Sequence, residues 1–134
     1  MSLDPQIDHD KFRVYSGFGQ QLGPIVFFGA AGVIDGMAAF FPKTVVRLME
    51  LAAKGDLSEN SKAEILRLQF VVSRAEEFVV RYGLIGIKEA VFRVTGLGVQ
   101  GGGRLPVKGS LSDSEWEKAR ELFLVGIEAV EGTL

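Results

Sequence analysis

The chain has 134 residues, a formal net charge of −2 at pH 7 and no cysteine. This length suits one domain with its own hydrophobic core. The near-neutral charge argues against nucleic acid or an anionic membrane surface as a partner, and the lack of cysteine excludes disulfides and thiolate metal sites. Hydrophobic residues make up 47% of the chain, which suggests apolar surface that a partner covers.

The composition of residues 1–10 predicts a disordered leader. It lacks the apolar core of a signal peptide, and no later apolar run reaches the ~18 residues of a membrane span. Asp8-His9-Asp10 offers three possible metal ligands, but adjacent residues rarely converge on one ion. We therefore interpret this tripeptide as solvated and expect no metal site.

Residues 11–56 have the pattern of two strands that alternate with two helices. The segments Phe12–Tyr15 and Gly32–Gly36 are strand-like, and residues 20–28 between them have helical length. A strand, a helix of about ten residues and a second strand form a βαβ unit, whose strands are parallel.

Ligands of parallel sheets bind at the carboxyl ends of the strands. Here those ends carry Ser16-Gly17 and Ile34-Asp35-Gly36. Asp35 interrupts an apolar strand, so its carboxylate is expected either to be paired at the rim of the sheet or to form part of a site.

Residues 57–134 predict a helical extension. The apolar spacing and the capping residues predict three helices in this extension, over about 58–82, 87–94 and 112–130. The same signals predict the last helix of the preceding segment over about 42–54. Pro42 suits the first turn of its helix and Gly55 suits the end. Ser112 and Glu115 form a capping box, and the inner face of the last helix is Trp116, Ala119, Phe123, Ile127 and Val130.

Gly17-Phe18-Gly19, between a strand and a helix, invites a dinucleotide-binding interpretation with Asp35 as the ribose acceptor. The spacing fails, because position 22 is Leu22 and the next glycine, Gly23, comes one residue late. Glycines that form a tight strand-to-helix turn explain the pattern better.

Lys88, in the segment Gly-Ile-Lys, resembles the lysine that forms a Schiff base with a ketone. Ala90, Val91 and Val94 continue a helical pattern through it, and it does not lie at the end of a buried strand, so a structural role is the better interpretation. Arg104, beside three consecutive glycines, is able to clamp a carboxylate, but such an arginine more often caps a helix or is solvated.

The order of these segments resembles the end of the (β/α)8 barrel in the dihydrodipicolinate synthase / N-acetylneuraminate lyase family, and most closely its 4-hydroxy-2-oxoglutarate aldolase-like members. Strand 7 of that family ends in Ser-Gly, as at Ser16-Gly17. Strand 8 matches at Gly32, Val33, Ile34, Gly36, Ala38 and Pro42. Asp35 replaces a hydroxyl residue and Ala39 replaces an asparagine.

The resemblance implies a class I lyase that needs no metal or cofactor and forms a Schiff base between a lysine of strand 6 and pyruvate or another small 2-oxo acid. That lysine, the tyrosine of strand 5 and the carboxylate-binding threonines have no counterpart in this sequence, so no catalytic residue is assigned. The resemblance implies a substrate-binding wall formed by Ser16, Gly17, Ile34, Asp35 and Gly36.

The fold expected is therefore α/β: strands 7 and 8 of a TIM barrel with their helices (11–56), followed by the helical extension (57–134). A full barrel needs about 250 residues, so we expect this chain to be inactive alone and to associate with itself or with the missing N-terminal half. The alternative is a non-catalytic helical oligomerisation module. A cytoplasmic location is expected, with a mitochondrial one as the alternative.

Overall fold

The structure, a computed structural model, describes residues 6–8, 10–56 and 58–134. His9 and the first half of the predicted leader lie outside the described residues. In the part of the chain that is described, no helix is both long and apolar enough to cross a membrane.

Two short parallel strands form the sheet, as the βαβ pattern predicts. β1 (Tyr15–Ser16) pairs with β2 (Gly32–Val33), with Tyr15 opposite Gly32 and Ser16 opposite Val33. Both strands are shorter than predicted, and β1 lies nearer the glycine turn than the predicted Phe12–Tyr15. Among the described residues each strand has one neighbour, and the bonds Ala31 N–H to Val14 O and Ile34 N–H to Ser16 O extend the ladder.

The helix between the strands is also shorter than the predicted 20–28. A 3-10 turn over Gly19–Gln21 leads into α1 (Leu22–Phe27). Gly29 follows in the left-handed region with φ 88°, which stops the helix before the chain enters β2.

Helix α2 (Pro42–Lys54) begins and ends where the sequence predicts. Pro42 occupies the first turn, and Gly55 closes the helix in the left-handed conformation. The amino end of α2 is held from far along the chain, because Glu131 accepts bonds from the N–H groups of Lys43 at 2.9 Å and Thr44 at 2.7 Å.

Helix α3 (Glu59–Thr95) contains both central helices of the prediction. Ser58 caps its start by accepting from Ser61 N–H, and Gly83 interrupts it with φ 57° and ψ −148°. The second helical half starts directly after Gly83 rather than at residue 87, so the predicted loop between the two helices is reduced to one kinked residue.

The final helix begins with the predicted capping box of Ser112 and Glu115. It runs as α4 (Asp113–Ala119), one π-helical turn over Arg120–Leu124, and α5 (Val125–Glu131). The predicted inner face is confirmed, since all five of its residues are buried: Trp116, Ala119, Phe123, Ile127 and Val130.

The core is built around the first half of α3. Leu68, Val72, Ala75 and Phe78 are fully buried there, and α3 contacts α1, α2, α5 and both 3-10 turns. The ring of Phe78 packs against Trp116 of α4 with centroids 5.9 Å apart. The helical extension is therefore continuous with the packing of the βαβ unit.

Candidate functional site

The two strands bring the predicted site segments to one edge of the sheet. Ser16 lies opposite Val33, and its carbonyl accepts from Ile34 N–H at 2.8 Å. Ser16-Gly17 and Ile34-Asp35-Gly36 consequently follow the carboxyl ends of neighbouring parallel strands, where the ligands of α/β proteins bind.

The β1 side of this edge is formed by a hydroxyl and open backbone. The hydroxyl of Ser16 donates to Gln21 Oε1 and accepts from Phe18 N–H at 3.2 Å, which fixes the turn after β1. Gly17 is exposed, with no atom near the place where a side chain would begin. Across the edge, the side chain of Ile34 is 75% exposed.

Asp35 points inward from the same edge. Its Oδ1 accepts from Ala38 N–H at 3.0 Å and caps the 3-10 turn over Met37–Ala39. Its Oδ2 is buried without a hydrogen-bond partner. That oxygen lies 2.5 Å from the position that a Cβ atom on Gly19 would occupy. Burial raises the pKa of the Asp35 carboxyl, against the hydrogen bonds from Ala38 and Met37.

Glu76 of α3 faces the same point. It is 1% exposed, and its Oε1 has no hydrogen-bond partner. This oxygen lies 3.1 Å from the same Cβ position on Gly19. Burial, followed by the negative charge of Asp35, raises the pKa of Glu76 to about 7, while the nearby backbone N–H of Gly19 opposes the rise. One oxygen of half-buried Asp35 and one oxygen of buried Glu76 therefore converge on the same point beside a glycine.

A second side chain of α3, Gln69, holds the turn that carries Gly19. Its amide nitrogen donates to the carbonyls of Gly19 and Gln20, each at 3.1 Å, and its Oε1 accepts from Gly23 N–H at 2.8 Å. The turn after β1 is thus fixed by the helical extension as well as by the sheet.

Gly36 completes the edge by close packing. A Cβ atom there would overlap the side chain of Ile87 in the second half of α3. A larger residue at this position would require the Ile87 side chain to move, because the end of β2 packs against it.

The side chains of Lys88 and Arg104 are exposed to solvent. Lys88 is exposed on the second half of α3, within the helical pattern predicted for it, and Arg104 is exposed in the glycine-rich loop. Among residues 6–8, 10–56 and 58–134, no three His, Cys, Asp or Glu side chains converge as a metal site requires.

Sequence reasoning missed Glu76 and Gln69. Both lie beside the apolar stripe of α3, and Glu76 follows Ala75 within a face that is otherwise buried. The signal available in the sequence was a carboxylate, Glu76, next to the apolar stripe. Asp35 is 41 positions earlier, so the sequence spacing does not indicate that the two residues meet.

Comparison with known proteins agrees with this architecture. The model of the "Dihydrodipicolinate synthetase family" matches residues 5–123. The chain belongs to this family. A curated member, "Probable 4-hydroxy-2-oxoglutarate aldolase, mitochondrial" of Emericella nidulans, is 33% identical over 102 residues, which are 75% of this chain and 30% of that protein.

Solved structures of 2-keto-3-deoxygluconate aldolase from Sulfolobus solfataricus share the fold of this chain. A double variant superposes with a TM-score of 0.72 at 21% identity, over 92% of this chain and 40% of the aldolase. A complex with D-KDPG gives a TM-score of 0.69 at 20% identity, over 93% and 39%. These aldolases are TIM barrels, and this chain spans less than half of their length.

Proposed function

We propose that this chain supplies one wall of the 2-oxo acid pocket in a Schiff-base aldolase or lyase. The observation that carries the proposal is the meeting of Ser16-Gly17 with Ile34-Asp35-Gly36 at the carboxyl ends of two parallel strands, in a chain of this family. We assign the two strands to positions 7 and 8 of the barrel.

The assigned roles follow from the chemistry at this edge. The Ser16 hydroxyl and the exposed backbone at Gly17 provide polar contacts for a small 2-oxo acid such as pyruvate, and Ile34 provides an apolar one. Asp35 and Gly36 shape the end of β2. No cofactor is required, since a Schiff base with a 2-oxo acid is formed by a lysine amine alone.

The amine that forms the Schiff base is expected outside these 134 residues. Lys88 is exposed and lies within a helix rather than at the end of a buried strand, so it is poorly placed to act as that amine. We propose that the chain alone is inactive and that it acts with an N-terminal barrel half or as a homo-oligomer. The compartment is the cytoplasm, with the mitochondrion named for the relative as the alternative.

Borohydride trapping tests this assignment. The chain is incubated with pyruvate and sodium borohydride, and peptides are analysed by mass spectrometry. We expect no adduct on the chain alone. Reductive attachment of pyruvate to Lys88 would contradict the proposal, and Lys118, which lies on α4, serves as the internal control for non-specific modification.

A chimera provides the positive test. Residues 11–134 replace the matching C-terminal part of the Emericella nidulans relative, which retains its own N-terminal portion. We expect a pyruvate adduct in the N-terminal portion. A folded chimera, judged by circular dichroism and gel filtration, that forms no adduct would show that this chain does not build the pocket.

The alternative, a non-catalytic helical oligomerisation module, is favoured by one observation. The outer face of α3 exposes Leu66 and Phe70, each 71% exposed, beside an apolar cavity of about 380 Å³ between α1, α2 and α3. A stable homo-oligomer together with a folded but inactive chimera would favour this function over the first.

A further inference from the structure

The carboxyl oxygens Asp35 Oδ2 and Glu76 Oε1 converge beside Gly19, and the proposed pocket assigns no role to Glu76. Asp35 Oδ2 and Glu76 Oε1 both lack hydrogen-bond partners. They lie 2.5 Å and 3.1 Å from one point, the Cβ position that Gly19 leaves vacant. We propose that the two groups share one proton, which joins them beside Gly19 and makes Glu76 a positioning residue for Asp35.

One shared proton removes the repulsion that would exist if both carboxyl groups were ionised. Two carboxylates that converge on one buried point repel each other, and each would keep an unsatisfied acceptor. With one proton, Glu76 donates to Asp35 Oδ2, and Asp35 Oδ1 keeps its bond from Ala38 N–H. Both oxygens of Asp35 are then satisfied, and the end of β2 is connected to α3.

The other charged groups near Asp35 and Glu76 are either bonded elsewhere or exposed to solvent. Asp35 is the charged group whose field acts on Glu76. On α3, Glu77 accepts from the Gln20 side chain at 2.8 Å and Arg74 donates to the carbonyl of Leu122 at 3.2 Å. In the second half of α3, Lys88 is exposed. The 3-10 turns over Gly19–Gln21 and Met37–Ala39 carry no ionisable side chain.

The direction of the pH effect follows from the raised pKa of Glu76. Below its ordinary pKa of 4.5, Glu76 is protonated in both the folded and the unfolded chain. Between 4.5 and about 7 the folded state keeps a proton that the unfolded chain has lost, so the free energy of unfolding falls as the pH rises. Above about 7 both states are ionised and the loss is complete.

Thermal unfolding from pH 5 to pH 8 tests the pair on the chain as it exists. We expect the Tm of the unmodified chain to fall by roughly 5–10 °C across this range. Glu76→Gln should lose most of this fall, because an amide donates without titrating. Asp35→Asn should lose only part of it, because the burial of Glu76 remains. The adjacent Glu77→Gln, at an exposed position, should keep it. A Glu76→Gln protein with the same fall as the unmodified chain would overturn the proposal.

Carboxyl carbon-13 NMR of the unmodified chain gives a second measurement that needs no variant to fold. We expect the Glu76 signal to titrate near pH 7, with a linked change at Asp35. Separate titrations of both groups below pH 5 would overturn the proposal.

Only the effect on substrate rests on the proposed function. If Asp35 lines the pocket, Glu76→Gln in the chimera should preserve pyruvate binding at pH 8, where the parent chimera weakens. The unfolding and NMR tests contain no substrate. A chimera that forms no adduct would therefore not contradict the proposal of a shared proton. A missing pH effect would not contradict the aldolase assignment.

Discussion

At the scale of single residues, the turn after β1 is determined by what α3 places against it. Gln69 satisfies main-chain groups at Gly19, Gln20 and Gly23, and Glu76 fills the space beside Gly19. The turn after β1 has no sheet neighbours of its own, and its conformation is fixed by a helix about 50 residues later in the sequence.

Two glycines of that turn give a matched experiment. A Cβ atom at Gly19 would lie 2.5 Å from Asp35 Oδ2, whereas the same atom at Gly17 meets nothing within 4 Å. We expect Gly19→Ala to lower the free energy of unfolding by about 1–3 kcal/mol through overpacking.

Gly17→Ala should change the free energy of unfolding by no more than about 0.5 kcal/mol. Urea denaturation of both variants at pH 6 measures the difference. Equal stabilities would mean that Gly19 is not held against the carboxyl pair.

At the scale of elements, Glu131 at the end of α5 connects that helix to the start of α2. Its carboxylate accepts from Lys43 N–H, Thr44 N–H and the Thr44 hydroxyl, at the end of α2 where a helix favours negative charge. α2 therefore has its N-terminal cap on α5.

Glu131→Ala should lower the free energy of unfolding by about 1–2 kcal/mol, because buried donors at Thr44 lose their acceptor. The exposed Glu121→Ala, on the preceding π-helical turn, is the control and should have little effect. Chemical denaturation followed by circular dichroism measures both variants. A Glu131→Ala protein as stable as the control would show that the cap contributes nothing.

The kink of α3 depends on Gly83. Its φ of 57° with ψ of −148° belongs to a backbone region that is essentially restricted to glycine. Gly83→Ala should cost about 1–3 kcal/mol.

Gly126 provides the opposite case within α5. It has helical neighbours, and a Cβ atom there meets only Val71 Cγ1 at 3.7 Å. Gly126→Ala should therefore stabilise by about 0.5–1 kcal/mol. Thermal unfolding of the two variants checks this, and a stabilising Gly83→Ala would show that the two halves of α3 form one straight helix.

The sequence predicts elements better than it predicts the contacts between them. Pro42, Gly55, Ser58 and the Ser112 capping box mark helix ends correctly, because capping is a local interaction. The strand lengths were wrong, since pairing depends on neighbours outside the local sequence. The Asp35–Glu76 pair could not be predicted, because it joins two elements through a fold that spacing does not define.

At the scale of the whole molecule, the sheet has two strands in the part of the chain that the structure describes. Two parallel strands have open outer edges, which attract further strands. The exposed apolar side chains around them include Phe12, Tyr15, Phe18 and Ile34. This surface agrees with the hydrophobic content of the sequence and with a chain that spans about 40% of the solved aldolases.

We expect the chain to associate at micromolar concentration. Ile34→Lys should reduce the associated fraction severalfold while leaving the Tm nearly unchanged, because the side chain is 75% exposed and a surface substitution costs little. Gel filtration with light scattering measures this, with Val46→Lys on the outer face of α2 as the control. A monodisperse, folded monomer for the unmodified chain would contradict the expectation.

The distant cap on α2 also affects biosynthesis. Glu131 is translated 88 residues after Lys43, so at 5–20 residues per second the ribosome delivers this acceptor roughly 4 to 18 seconds after the start of α2. Until then the N–H groups at that helix end are without their native partner. Nascent chains halted between these points should be more readily digested by protease around α2 than chains released after Glu131.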